Sequence, residues 1–413
     1  MTRAFSMVLF LACMAFTYKS SFLAFGQQVA DATRWSLLAA GALFALWAPR
    51  PLKGAFSGTA VRLAGYSFAG FALLSSIWSS QKSIYSFMRG GSMVLLAMLV
   101  FGALWPRLRR VSDYERLTKV LSSVAWITVI VSAFFYVFMR GSTVRPVTGA
   151  FQGLFGNPNS IGMVYAVLMP VSLSRFYLKK RPLRAALPVI LSFFVIWSQS
   201  RAGLVGCLFG SLIFFASYYG RKMWILAVLA FFVLVPYGAV QQGKGVVDDV
   251  EQNFLRGETS LEEFGSGRYG LWMLAFDRFQ KRPFVGYGFG TGGDLYLPSG
   301  EPFRYHSSFS QITVELGIVG LMFFVAPIAY GGLKAARYQL APANDPRVRA
   351  VLAALMGGWL GGAVNSFFES WLFSVGNIAS LLAWICFAGG VKAMSEARSL
   401  DQQQKEKSHA RGV

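Results

Sequence analysis

Histidine is nearly missing from the 413 residues: His306 and His409 are the only two, and His409 stands in a polar tail. Acidic residues are also scarce, 18 against 39 lysines and arginines. No His/Asp/Glu cluster at ligand spacing occurs, nor an Asp-x-Asp pair that would hold a divalent ion. The sequence therefore offers metal chemistry no ligand set. The three cysteines, Cys13, Cys207 and Cys386, are isolated inside apolar runs, so neither a C-x-x-C motif nor a disulfide framework is present. Ionisable residues hardly enter the apolar runs, and Glu315 and Glu369 lie toward their outer ends. That scarcity counts against a proton- or sodium-coupled carrier, which needs such groups near the bilayer midplane. No repeat of 20 to 50 residues and no pair of inverted halves is visible.

What is abundant is apolar: 55% of the chain, with a mean hydropathy of +0.49. Such a chain cannot clothe a water-soluble surface and belongs to the polytopic helical membrane class. Runs long enough to cross about 30 Å of hydrocarbon predict an all-α membrane protein of about twelve spans. They lie near residues 4–22, 33–49, 60–79, 84–105, 117–139, 159–177, 184–200, 202–220, 222–240, 309–331, 349–368 and 372–392. The net charge of +21 is no argument for nucleic acid, because the basic residues fall between these runs and follow topology. One alternating set of connecting segments holds 25 of the 39 basic residues, while the other holds 12 of the 18 acidic ones. Basic loops stay in the cytoplasm, so both termini are expected there and the long loop 241–308 outside, in the periplasm of a Gram-negative cell. The organisation is then 1–240 for the first nine spans, 241–308 for the loop, 309–394 for the last three spans and 395–413 for a cytoplasmic tail. That tail is polar, without apolar periodicity, and is expected to be frayed or disordered.

The loop begins acidic and changes character at Arg268. Leu271, Trp272, Ala275, Phe276 and Phe279 recur at helical spacing among Arg268, Asp277, Arg278 and Lys281, which predicts an amphipathic helix on the membrane surface. It starts near Ser266 and stops at Pro283. Arg268 in its first turn suits an anion such as a diphosphate headgroup, with pairing to Glu262 or Glu263 as the plainer alternative. The run from Gly286 to Gly293 lacks the Gly-Lys-Ser/Thr ending of a nucleotide loop and is expected to be a turn that passes close to a ligand or re-enters the protein. His306, at the outer end of the tenth span, can take a proton from a sugar hydroxyl as that oxygen attacks, with a hydrogen-bonded interfacial histidine as the plainer alternative. On the same side, Arg201 ends a tight external turn, and the stretch from Arg145 through Gln152 to Asn159 leads into the sixth span with capping groups.

Gly156-Asn157-Pro158-Asn159, Ser198-Gln199-Ser200-Arg201, Gly267-Arg268 with Trp272, Arg282-Pro283 with Gly286-Tyr287-Gly288, and His306 together carry a resemblance. The chain resembles the O-antigen ligase and polymerase superfamily of bacterial polysaccharide assembly, above all its ligase branch, over nearly its whole length. The resemblance implies a metal-independent, inverting glycosyltransferase of the bacterial inner membrane. It would use no cofactor, act as a monomer among membrane lipids, and move O-antigen from undecaprenyl diphosphate to lipid A core in lipopolysaccharide maturation. On the matching motifs, Arg201 and Arg268 bind the donor diphosphate, His306 activates the acceptor hydroxyl, and Arg145, Gln152 and Asn159 line the pocket. Family members often carry asparagine or another polar residue right after the histidine, whereas Ser307 and Ser308 follow here. O-antigen or exopolysaccharide polymerases and protein O-oligosaccharyltransferases share the pattern, which leaves the acceptor open. A lipid-linked glycan transporter is the rival from another class.

Overall fold

The computed structural model describes residues 1–17, 27–47, 59–79, 83–146, 148–179, 182–220, 268–295, 305–340, 343 and 345–409. Among these the chain is all-helical, and the only pairing of extended backbone is the isolated bridge between Val144 and Phe151. Fourteen helices follow in order: α1 (Arg3–Thr17), α2 (Gln27–Leu43), α3 (Thr59–Leu74), α4 (Ser83–Ala97), α5 (Val111–Phe138), the single turn α6 (Arg140–Thr143), α7 (Pro158–Lys179), α8 (Ala186–Trp197), α9 (Arg201–Tyr219), α10 (Arg268–Lys281), α11 (Ser308–Leu340), α12 (Pro346–Phe368), α13 (Ile378–Ser395) and α14 (Ala397–His409).

Eight helical stretches, those of α3, α4, α5, α7, α9, α11, α12 and α13, are long and apolar enough to cross a membrane. Each falls on one of the twelve expected runs. The expected spans at 4–22 and 184–200 correspond to shorter apolar helices, Arg3–Met14 and Ala186–Trp197. The run at 33–49 overlaps the 17-residue α2, and the one at 222–240 lies outside the described residues, as does the acidic part of the loop, 241–267.

The helices begin where local chemistry lets them. The side chain of Asn157 accepts the Asn159 N–H at 2.9 Å with Pro158 following it, Ser200 accepts the Gly203 N–H at 3.2 Å, and Asp345 accepts from Arg347 at 2.6 Å before Pro346. Each cap satisfies a donor that the first helical turn leaves over. At the centre α7, α9 and α12 pack on small residues. A Cβ on Gly203 would come within 2.3 Å of the Gly162 Cα, and one on Gly206 within 2.8 Å of the Gly361 carbonyl. In lipid, where apolar area alone does not drive helices together, such close backbone approach supplies the packing energy. The contact between Gly162 and Gly203 also sets the starts of α7 and α9 side by side, which matters for the site below. Nearly every residue of α13 is buried behind this trio.

The sequence expectation fails at the tail. The tail is helical rather than frayed: Ala397 and Leu400 of α14 are buried, and the Asp401 carboxylate accepts the Asp345 N–H at 2.7 Å, tying the tail to the start of α12. These buried apolar residues and the Asp401 hydrogen bond help to hold a segment whose composition is otherwise polar. The helix α11 lies where a span was expected, and the structure adds a break in its apolar run at Gly317, where φ is +63°. The loop segment 283–288 fills the break. The Ile318 and Val319 N–H groups donate to the Pro283 and Phe284 carbonyls at 2.8 and 3.2 Å, while the Tyr287 and Gly288 N–H groups donate to the Val314 and Glu315 carbonyls at 3.2 and 2.8 Å. Irregular backbone at this position is tolerated because protein, not lipid, satisfies it.

The contacts separate two ends of the bundle. One joins the starts of α7, α9 and α11 to the ends of α5, α8 and α12. At the other, the N-terminal ammonium pairs with Asp113, Arg347 pairs with Glu115 at 2.6 Å and the Tyr114 hydroxyl reaches Glu396 at 3.5 Å. The same segments shared the basic residues in the sequence.

Candidate active site

The first end carries most of the residues singled out from sequence. His306 lies between two buried anchors. The hydroxyl of Tyr305, itself fully buried, donates to the Gly292 carbonyl at 3.2 Å. Burial first, and then the nearby Glu315 carboxyl group, push this phenol above its ordinary pKa, so it stays a donor. On the other side the Ser308 hydroxyl donates to the Glu369 carbonyl at 3.0 Å and accepts the Trp371 and Leu372 N–H groups at 3.2 and 3.1 Å. Phe309 stacks on Phe367 at 4.0 Å, fixing the start of α11 against the end of α12.

Held this way, His306 takes a left-handed backbone, φ +50°, that costs a non-glycine residue about 1 kcal/mol or more. The turn throws the imidazole outward, and half of the side chain is exposed. Its Nδ1 faces Glu369 Oε2 at 3.9 Å, too far for a hydrogen bond but an ion pair once the ring is protonated. Glu369 is only 7% exposed at its side chain, and its other oxygen, Oε1, accepts from the Asn159 amide at 2.9 Å. Asn159, Glu369 and His306 thus form one chain across α7, α12 and the start of α11. An acidic side chain behind one ring nitrogen is an arrangement that can stabilise an imidazolium formed by proton uptake at the other.

Arg201 is the first residue of α9, half-buried, beside the start of α7 through the Gly162–Gly203 contact. Helix N–H groups and a guanidinium at this position favour an anion. The turn preceding it is tight as expected: Gln199 is left-handed with φ +54°, and its side chain donates to the Thr148 carbonyl at 3.3 Å. Arg145 lies exposed on a hairpin that closes through Arg145 N–H to Ala150 O at 3.0 Å. Phe151 of this hairpin stacks on Trp197 at 4.4 Å. Gln152 serves the hairpin itself, its side-chain amide donating to the Ser142 carbonyl at 3.1 Å. Arg268 opens α10, the amphipathic helix expected from Ser266 to Pro283 and observed from Arg268 to Lys281. The Arg268 side chain lies outside the described residues, and so do Glu262 and Glu263. Along α10, Ala275 and Phe279 pack inward with Tyr287, Tyr305 and Val314, while Trp272, Met273 and Phe276 are exposed. This second, outward apolar stripe suits a helix lying on lipid.

The glycine run proves to be a re-entrant structure. Gly286, Gly288 and Gly290 all have positive φ, and the carboxyl group of Glu315 occupies the concavity they help form. Its two oxygens accept the Gly290 N–H at 2.7 Å and the Gly292 N–H at 3.1 Å, and Gln311 donates to it at 3.0 Å. The Ser75 hydroxyl accepts the Phe289 N–H at 2.8 Å, and the Trp78 indole donates to the Val285 carbonyl at 3.1 Å. The backbone nest therefore binds an internal carboxyl group.

Glu315 and Glu369 are the site residues that sequence reasoning placed in the chain without giving them a role. The signal was there: acidic residues at the ends of otherwise uncharged spans are rare and costly. Among the described residues, no three His, Cys, Asp or Glu side chains are grouped as metal ligands.

Residues 186–325 match the family model described as O-antigen ligase, a stretch from α8 into α11 that contains Arg201, Arg268 and His306. Asn159 and Glu369 lie outside it and reach the site through the fold. No curated protein matches the chain.

Proposed function

We propose, from the membership of residues 186–325 in the O-antigen ligase family, that the protein is an inverting glycosyltransferase that joins O-antigen to lipid A core. Its donor is the polysaccharide on undecaprenyl diphosphate. The observation that carries this reading is the outward-facing His306 backed by Glu369 at 3.9 Å, which Asn159 holds at 2.9 Å.

In this reaction the acceptor sugar hydroxyl attacks the anomeric carbon of the donor. The new glycosidic bond forms as the bond to diphosphate oxygen breaks, with inversion. The hydroxyl proton passes to His306 and the electron pair leaves on undecaprenyl diphosphate. Glu369 stabilises the resulting imidazolium. Arg201, at the N-terminus of α9, and Arg268, at the start of α10, neutralise the leaving diphosphate, the role that transition-state charge stabilisation assigns to fixed cations. The apolar stripe of α10 supports placing this chemistry at headgroup height, where two lipid-anchored substrates meet by lateral diffusion. Arg145 on its exposed hairpin is within the same end of the bundle and contacts the glycan rather than the diphosphate. The active site faces the periplasm and the termini the cytoplasm, a reading supported by the separation of basic residues between the two ends.

The test is incubation of purified protein with the lipid-diphosphate polysaccharide and lipid A core, with and without chelator. Capped lipopolysaccharide at an unchanged rate in chelator is the expected product. Longer lipid-linked chains would make the protein a polymerase, a glycosylated protein acceptor an oligosaccharyltransferase, and translocation without bond formation a transporter.

A further inference from the structure

At the end of the bundle opposite His306, two adjoining cavities of about 640 and 370 Å³ open between α1, α5, α7 and the turn before α8, and both are lined by Lys119, Ser123 and Arg175. The larger also takes Arg3 and Arg116, and the smaller Arg184. Five or more cations around one cleft repel each other unless something anionic joins them. Among the described residues the only carboxylate lining it is Glu115, and Arg347 already pairs with that group at 2.6 Å. Neither Lys119 nor Arg175 forms an ion pair within 4.0 Å among the described residues, Glu115 acting on Arg175 only from farther off.

A second observation points to an occupant. Ser122 lines the smaller cavity, is 6% exposed, and its buried hydroxyl has no hydrogen-bond partner. A buried hydroxyl without a partner is uncommon and marks a site for a missing one. Beside it, Trp126 lines the smaller cavity, and Met7, Phe10 and Val120 line the larger. The cleft is thus amphipathic, with cations and a hydroxyl at one level and apolar surface continuing along the helices. That pattern matches a phosphate on a glycerol with acyl chains below it.

We infer that this cleft is a binding site for an anionic phospholipid headgroup of the leaflet opposite the His306 end, with Lys119, Arg175 and Arg184 on the phosphate and Ser122 donating to it. The inference stands independently of the transfer reaction, because no residue of the cleft touches the His306 site.

The experiment uses full-length, delipidated protein in a neutral detergent. Thermal unfolding is followed on addition of phosphatidylglycerol, phosphatidylcholine or inorganic phosphate, and native mass spectrometry counts the lipids retained. Phosphatidylglycerol should raise Tm and remain bound at one copy or more, with phosphatidylcholine and phosphate giving no comparable shift. Lys119→Gln and Arg184→Gln should each weaken the phosphatidylglycerol response about fivefold, the worth of one cation near an anionic surface, and leave transferase activity in detergent unchanged. If the variants do not fold, the lipid count on the unmodified protein decides the matter. Equal responses to both lipids, a phosphate response as large as that to phosphatidylglycerol, or full retention of phosphatidylglycerol by both variants would each overturn the site.

Discussion

The cradle around Glu315 and the pocket around Glu369 start from the same material: a glutamate at the site end of an apolar helix, 0% and 5% exposed, with amide donors within reach. They end differently. Glu315 has both oxygens and all its nearby donors committed, two backbone N–H groups and Gln311, so it closes a loop. Glu369 receives the Asn159 amide on one oxygen and turns the other toward a half-exposed histidine. The first arrangement ties a loop to its helix; the second sets a carboxyl group against an imidazole that is open to solvent. Burial of a carboxyl group therefore does not by itself mark a chemical role, and what its second oxygen faces does.

Substitutions can break or sharpen this contrast. The largest effect is expected at the saturated site. Glu315→Ala orphans the Gly290 and Gly292 N–H groups, each at a cost of about 1–3 kcal/mol, and frees the turn 290–292 from α11. The variant should fail to accumulate, or unfold at a markedly lower Tm, with transfer lost in proportion. Normal expression and Tm would show that the loop is held by other contacts. His306→Ala should leave Tm within a degree or so of the parent and lower turnover by about 10²- to 10⁴-fold; retained activity would remove its role as base. Glu369→Gln keeps the shape and the contact with Asn159 but removes the charge. We expect kcat to fall about tenfold with KM for the donor unchanged, and Glu369→Asp to recover part of it. A matching loss of Tm in Glu369→Gln would class the residue with Glu315. Asn159→Ala is the mildest, a few-fold loss in kcat from a less fixed Glu369, measured in the same assay.

The parts legible in the sequence were those governed by composition along a single segment. The apolar runs found the eight helices long and apolar enough to cross a membrane, and the spacing of Leu271, Ala275 and Phe279 found α10 to within a few residues. The Ser200 turn and the Asn157 cap were visible because capping chemistry is local. The break at Gly317 was not, since Leu316-Gly317-Ile318-Val319 has the hydropathy of an unbroken span and the partners that fill the break lie some thirty residues earlier. Glu369 escaped a role for the same reason: its partners, Asn159 and His306, are distant in sequence and meet it only after α7, α11 and α12 pack. Residues 221–267 and the Arg268 side chain lie outside the described residues, so one of the two arginines expected at the diphosphate rests on its helix position alone.

The filled break at Gly317 also bears on how the chain is made. The Ile318 and Val319 N–H groups find their acceptors in Pro283 and Phe284, residues synthesised earlier. When the second half of α11 leaves the ribosome, the acceptors it needs have already been synthesised, and the helix can be completed as it folds. Lengthening the chain between Phe284 and Val314 would separate those events further, leaving the Ile318 and Val319 N–H groups bare for longer. Biogenesis, before any catalysis, constrains the spacing of the loop.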